Sequence, residues 1–108
     1  MSGKKIPQDT RAQVEAIVAR FNRTVVRDRG TFFSARFRNQ YVYLDRDDYR
    51  SVSPRGRLTW TGDMAEWDFA IYKYSDERYD PEEWMFSGAG HLDGTVEGAL
   101  RACMEAYP

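Results

Sequence analysis

The stretch TFFSARFRNQYVYLDR, Thr31 to Arg46, admits one strand pairing that sorts all its side chains. A two-residue turn at Asn39-Gln40 sets Phe37 opposite Val42 and Ala35 opposite Leu44, all apolar. The same turn sets Arg38 opposite Tyr41 and Arg36 opposite Tyr43, on the other face. A slip of one residue would exchange the faces, so the register is strongly specified. Asn suits the first position of a type I′ turn, and Gln is a poor second.

A second hairpin solves in the same way. RLTWT and EWDFAIYKYS flank Gly62 to Ala65, and a four-residue loop pairs Trp60 with Trp67 and Leu58 with Phe69. Thr59 then meets Asp68, and Thr61 meets Glu66, on the opposite face. Between the hairpins, SVSPRG carries turn chemistry at Pro54 and Gly56 and closes a loop from about Asp47.

Helical patterning brackets the strands. Thr10-x-x-Gln13 has the form of a capping box. Val14, Ile17, Val18, Phe21 and Val25 follow on one helical face, which predicts a helix over residues 10–25. RDRG, Arg27 to Gly30, ends it with a glycine that tolerates positive φ. In DPEEW, Asp80 as N-cap, Pro81 at the first position and Glu83 at the third predict a short helix. SGAGHLDG reads as a glycine-rich loop, after which Asp93 or Thr95 caps a last helix. Its apolar stripe is Val96, Ala99, Leu100, Cys103 and Met104, with Glu97 four residues before Arg101.

The expected architecture is α+β, in the order α-β-β-β-β-(short helix)-α. A four-stranded antiparallel sheet, a meander of two hairpins, is roughly 19 Å wide. Two helices packed about 8–10 Å apart cover that width. The N-terminal and C-terminal helices are therefore expected on one face, over Phe33, Phe37, Val42, Leu44, Leu58, Trp60, Trp67, Phe69 and Ile71. The 108 residues make one domain of two layers, with residues 1–9 expected to be flexible.

Composition narrows the setting. No apolar run reaches the roughly 18 residues of a membrane helix, and MSGKKIPQDT lacks the apolar core of a secretory signal. With Cys103 as the one cysteine there is no internal disulfide, which suits a reducing cytoplasm. Residues 1–57 hold 13 Lys and Arg against 6 Asp and Glu, a net of +7. Residues 58–108 hold 3 against 11, a net of −8. The expectation is that these halves lie side by side and neutralise each other.

The sheet face opposite the core would carry Arg36, Arg38, Tyr41, Tyr43, Arg57, Thr59, Thr61, Glu66, Asp68, Tyr72 and Tyr74. Tyr and Arg are common in protein interfaces, and they also stabilise cross-strand pairs without any ligand. The leading expectation is a non-catalytic binding module that meets a protein partner, or a second copy as a homodimer, through Arg36, Arg38, Tyr41, Tyr43, Arg57, Tyr72 and Tyr74. Single-stranded nucleic acid on the same face is the alternative, since rings stack on bases and guanidinium groups meet phosphate. Residues 79–92 contain Tyr79, Trp84, Met85, Phe86 and Leu92, which either wrap an edge of the sheet or fold across this face.

A third reading is an anion or small-ligand site at His91 and Asp93, in a glycine-rich loop before a helix. GAGHLDG lacks the spacing of a phosphate loop, and the simpler role for Asp93 is a helix cap. A single histidine excludes a two-histidine metal site and offers no nucleophile–base pair. DRDD, Asp45 to Asp48, begins like a calcium loop, but Tyr49 and Arg50 stand where a ligand and a glycine are needed. No cofactor or metal is expected, and Cys103 reads as a buried hydrophobe.

Overall fold

The computed structural model describes residues 5–26, 30–48 and 50–107. Its elements are α1 (Gln8–Thr24), β1 (Phe32–Arg38), β2 (Tyr41–Asp47), β3 (Val52–Thr59), β4 (Asp68–Lys73), β5 (Arg78–Asp80), a 3-10 turn (Ala89–His91) and α2 (Val96–Ala106). The chain is α+β, with two helices and an antiparallel sheet. The sheet has five strands rather than four, in the order β1-β2-β3-β4-β5.

Both hairpin registers are as the side-chain sorting requires. Phe37 faces Val42, Ala35 faces Leu44, Arg38 faces Tyr41 and Arg36 faces Tyr43. Leu58 faces Phe69 and Thr59 faces Asp68, but the ladder stops there and the expected four-residue loop is longer. Trp60 and Trp67 lie outside the strands, their amides bonded to the Gln40 and Gly94 carbonyls, and only their rings meet, at 4.8 Å. The first turn differs in type. Asn39 has φ 54° while Gln40 is not among the positive-φ residues, so the double positive φ of a type I′ turn is absent.

The departures are local. β3 begins at Val52, so Pro54 and Gly56 lie inside a strand rather than in a loop. The turn ahead of it is held by the Asp48 carboxylate, which accepts from the Arg50 and Ser51 amides at 3.0 and 3.1 Å. Pro54 is tolerated because the ladder shifts there: Leu44 faces Gly56 but Asp45 faces Pro54, leaving Arg55 as the extra residue of a bulge.

The short helix predicted at DPEEW does not form, and a fifth strand precedes it instead. Asp80 accepts from the Glu82 amide at 2.9 Å, but Glu83 reaches back to Lys73 Nζ at 3.1 Å and accepts from the Met85 amide. Glu83 is thereby committed to the β4–β5 turn and cannot cap a helix. β5 spans three residues, too few for alternation to announce a strand.

Helix α1 starts at Gln8 behind Pro7, whose side chain makes no capping bond, and Thr10 is buried inside the helix rather than capping it. Ile6 is buried, and its amide donates to the Asn39 carbonyl at 3.1 Å. Of the flexible lead expected over residues 1–9, residues 1–4 lie outside the described residues, as do Arg27 to Arg29 of RDRG and Tyr49, which follows DRDD. Thr95 caps α2, its hydroxyl accepting from the Gly98 amide at 3.0 Å.

One buried cluster joins Val14, Val18 and Phe21 of α1, Val96, Ala99, Leu100 and Cys103 of α2, and Phe33, Val42, Leu44 and Leu58 of the sheet. Phe37 and Phe69 pack against it half-buried. No helix among the described residues is long and apolar enough to cross a membrane.

Packing is tight where β3 passes α2. A Cβ on Gly56 would stand 2.6 Å from the Phe69 ring and 3.0 Å from Cys103 Sγ. Gly56→Ala should therefore cost about 1–3 kcal/mol of folding stability, by overpacking. Urea denaturation checks this; an unchanged midpoint would show that the Phe69 ring moves aside freely.

Candidate functional site

Alternation places Arg36, Tyr43, Arg57 and Ala70 in one cross-strand row on the face away from the buried cluster. The neighbouring row is Arg38, Tyr41, Thr59 and Asp68. Tyr72 continues the face on β4 and pairs with Tyr79 on β5. Ala70 is the small residue of its row, and although it faces away from the helices it is only 2% exposed. The Tyr79 ring reaches back over this part of the sheet, lying 5.3 Å from the Tyr43 ring and 5.0 Å from the Tyr72 ring.

The tyrosines form an interlocked set rather than a row of separate rings. Tyr41 meets Tyr43 at 6.0 Å and 52°, and Tyr72 meets Tyr74 at 4.9 Å and 78°. The Arg57 guanidinium lies 4.6 Å from the Tyr41 ring and 5.5 Å from the Tyr79 ring. Its Nε is buried without a hydrogen-bond partner, so ring contact is its main compensation. Tyr41, Tyr43 and Tyr72 are half-buried and Tyr74 is exposed.

Arg36 is held by Asp45, with Nε donating at 2.6 Å and the second nitrogen at 3.2 Å, a bidentate pair. Asp45 is only 3% exposed, and the bond to it raises the Arg36 pKa above the ordinary value. Arg38 is exposed at the end of β1, with no ion pair among the described residues. Burial raises the Tyr79 phenol pKa, with the Asp45 charge adding to it.

A second Arg/Tyr group grows out of the bulge. Arg55 lies over the Tyr107 ring at 4.9 Å and donates to the Tyr74 hydroxyl. That hydroxyl donates to the Pro54 carbonyl at 2.8 Å, and the Tyr107 hydroxyl donates to the Tyr72 carbonyl. Sequence alternation reaches Tyr74 but misses Tyr79, Arg55, Tyr107 and Asp45. The signal for Tyr79 was the lone alanine between larger side chains in its row.

Residues 79–92 divide at the β5 edge. Tyr79 joins the tyrosine face, whereas Phe86 meets Phe69 at 6.3 Å and Leu92 packs against the buried cluster. Trp84 and Met85 between them are exposed.

His91 and Asp93 are not brought together. His91 Nε2 meets Glu105 Oε1 at 2.9 Å, which holds the Glu105 pKa below its ordinary value. Asp93 accepts from the Thr95 amide and hydroxyl at 3.0 and 2.6 Å, and so braces the start of α2. Glu97 meets Arg101 at 3.2 Å and Arg20 at 3.9 Å across the recess beside them. Among the described residues no group of three or more His, Cys, Asp and Glu is placed to hold a metal. Burial pushes the Cys103 thiol up to about 12, which leaves it protonated and unreactive at neutral pH.

No protein-family model, curated protein or solved structure matches the chain.

The tyrosine packing has a titration signature. Burial raises the phenol pKa of both Tyr79 and Tyr107 above 10.0. A phenol whose folded pKa is raised contributes stability that is fully present below the unfolded value and is lost as pH rises through the folded one. Phenolate absorbance should therefore show a late-titrating component that Tyr79→Phe diminishes. A single step at the ordinary phenol value would contradict the packing.

Proposed function

We propose that this chain is a non-catalytic cytoplasmic module that binds a protein partner, or a second copy of itself, through the Tyr/Arg sheet face. In this reading α1 and α2 both cover the opposite, apolar face, as the mixed membership of the buried cluster supports. The observation that carries it is apolar exposure on a Tyr/Arg surface. Phe32 and Val52 both lie opposite Asp47, on the tyrosine side of the sheet, and they are 47% and 62% exposed. Exposed Tyr74 adds to the same surface through its contact with Tyr72. Tyr and Arg set among apolar side chains are the residue types that anchor protein interfaces. Interlocked rings also lose little side-chain entropy on binding.

Single-stranded nucleic acid is the weaker reading on this geometry. Base stacking needs open ring faces and phosphate contact needs free guanidinium groups. Here the rings pack against one another at steep angles, Arg36 is engaged by Asp45, and Arg57 lies against two tyrosines.

A photo-crosslinker placed at Val52, with sedimentation of the free protein, tests the proposal. The expected result is a defined protein adduct or a self-adduct, lost in Phe32→Ser combined with Tyr43→Ser. A monomer that captures nothing would overturn the reading. Salt-steep oligonucleotide binding weakened by Arg38→Ala would replace it with the nucleic-acid alternative.

A further inference from the structure

The sheet is a meander in sequence order, so β1 forms one edge and β5 the other. That order keeps the sequence's charge split in space. Ion pairs among the described residues fall within one half of the chain, except Arg20–Glu97 at 3.9 Å. Mutual neutralisation of the halves, expected from the sequence, is thus limited to one long contact. Lys5, Arg11 and Arg38, all beside β1, have no ion-pair partner among the described residues.

The backbone of this edge is partly unoccupied. The Asn22 side chain donates to the Phe33 carbonyl at 2.9 Å and accepts from the Phe33 amide at 2.8 Å. Phe33 therefore directs both groups away from β2, and the amide of Asn22 stands in for a peptide unit of a neighbouring strand. The alternation of an antiparallel ladder sends the N–H and C=O of Ala35 and Phe37 the same way. Among the described residues nothing bonds to these four groups beyond the strand. Ile6, bonded to Asn39, closes the far end, where Lys5, Ile6, Arg11, Phe37 and Asn39 line a recess of about 140 Å³.

We propose that the β1 edge docks an acidic, extended segment of a partner protein as a short sixth strand. Main-chain bonds to Ala35 and Phe37 supply the pairing, and Arg38, Arg11 and Lys5 supply the preference for carboxylates. Glu15, four residues beyond Arg11 on α1, is the acid on this flank and leaves the balance positive. A second copy fits worse, because antiparallel pairing about Arg36 would set Arg36 against its own copy. This surface shares only Arg38 with the Tyr/Arg face and does not depend on that reading.

Amide NMR with a capped peptide alternating glutamate and valine, against its lysine counterpart, tests the proposal. The acidic peptide should shift the Ala35 and Phe37 amides, bind about tenfold or more tightly than the basic one, and weaken with salt. Ala35→Pro removes an outward N–H while leaving the β1–β2 ladder intact, and should cut binding about tenfold or more. Arg38→Glu, at an exposed position, should abolish the peptide preference and carries the test if Ala35→Pro fails to fold. Equal binding of both peptides, no β1 shifts at millimolar acidic peptide, or shifts confined to Tyr72 and Tyr79 would each overturn the proposal. A wild-type dimer abolished by Ala35→Pro would assign the edge to a second copy instead.

Discussion

Side chains alternate across a pleated strand, and most of this protein follows from that constraint. Burying Val42, Leu44 and Leu58 in one cluster commits Tyr41, Tyr43 and Arg57 to the opposite face. No local preference of tyrosine or arginine is needed to put them there. The same pleat phase decides which backbone groups of β1 bond to β2 and which point outward. The core register thus determines both the tyrosine face and the unpaired groups at the edge.

The bulge opposite Leu44 and Asp45 is where the alternation is deliberately broken. An extra residue in β3 lets Gly56 stay against Phe69 and Cys103 while Pro54 takes the position facing Asp45. Arg55, released from the ladder, turns to Tyr74 and Tyr107. Through Tyr107 it ties the end of α2 to β4, since the Tyr107 hydroxyl donates to the Tyr72 carbonyl. A glycine too crowded for a side chain and a proline without a donor are thus both accommodated by one irregularity.

What could be read from the sequence followed the strength of the periodic signal. The two hairpins were legible because apolar and polar residues sorted together in one register, as at Phe37–Val42 and Arg36–Tyr43. α2 was legible because Thr95 caps a clean stripe. β5 was not, because three residues carry no period and Asp80-Pro81 resembles a helix start. Distinguishing the two required knowing that Lys73 would claim Glu83, a contact ten residues apart in sequence. The candidate face was half legible: alternation named Arg36, Arg38, Tyr41, Tyr43, Arg57 and Tyr72. It could not show that Tyr79 would settle over Ala70, or that Asp45 would hold Arg36.

These unforeseen contacts change the electrostatic character of the surface. Arginines read from sequence are counted as free positive charge, yet Arg36 is paired with a buried carboxylate and Arg57 is shielded by rings. A polyanion would have to compete with Asp45 for Arg36 and disturb the packing around Arg57. The surviving positive charge lies at the margin of the face, at Arg38, and beside β1, at Arg11 and Lys5. The face is left with aromatic and apolar side chains, and the β1 edge with cations that have no ion-pair partner among the described residues. Both follow from one topology, because a meander in sequence order never pairs β1 with β4 or β5, the strands drawn from the acidic half of the chain.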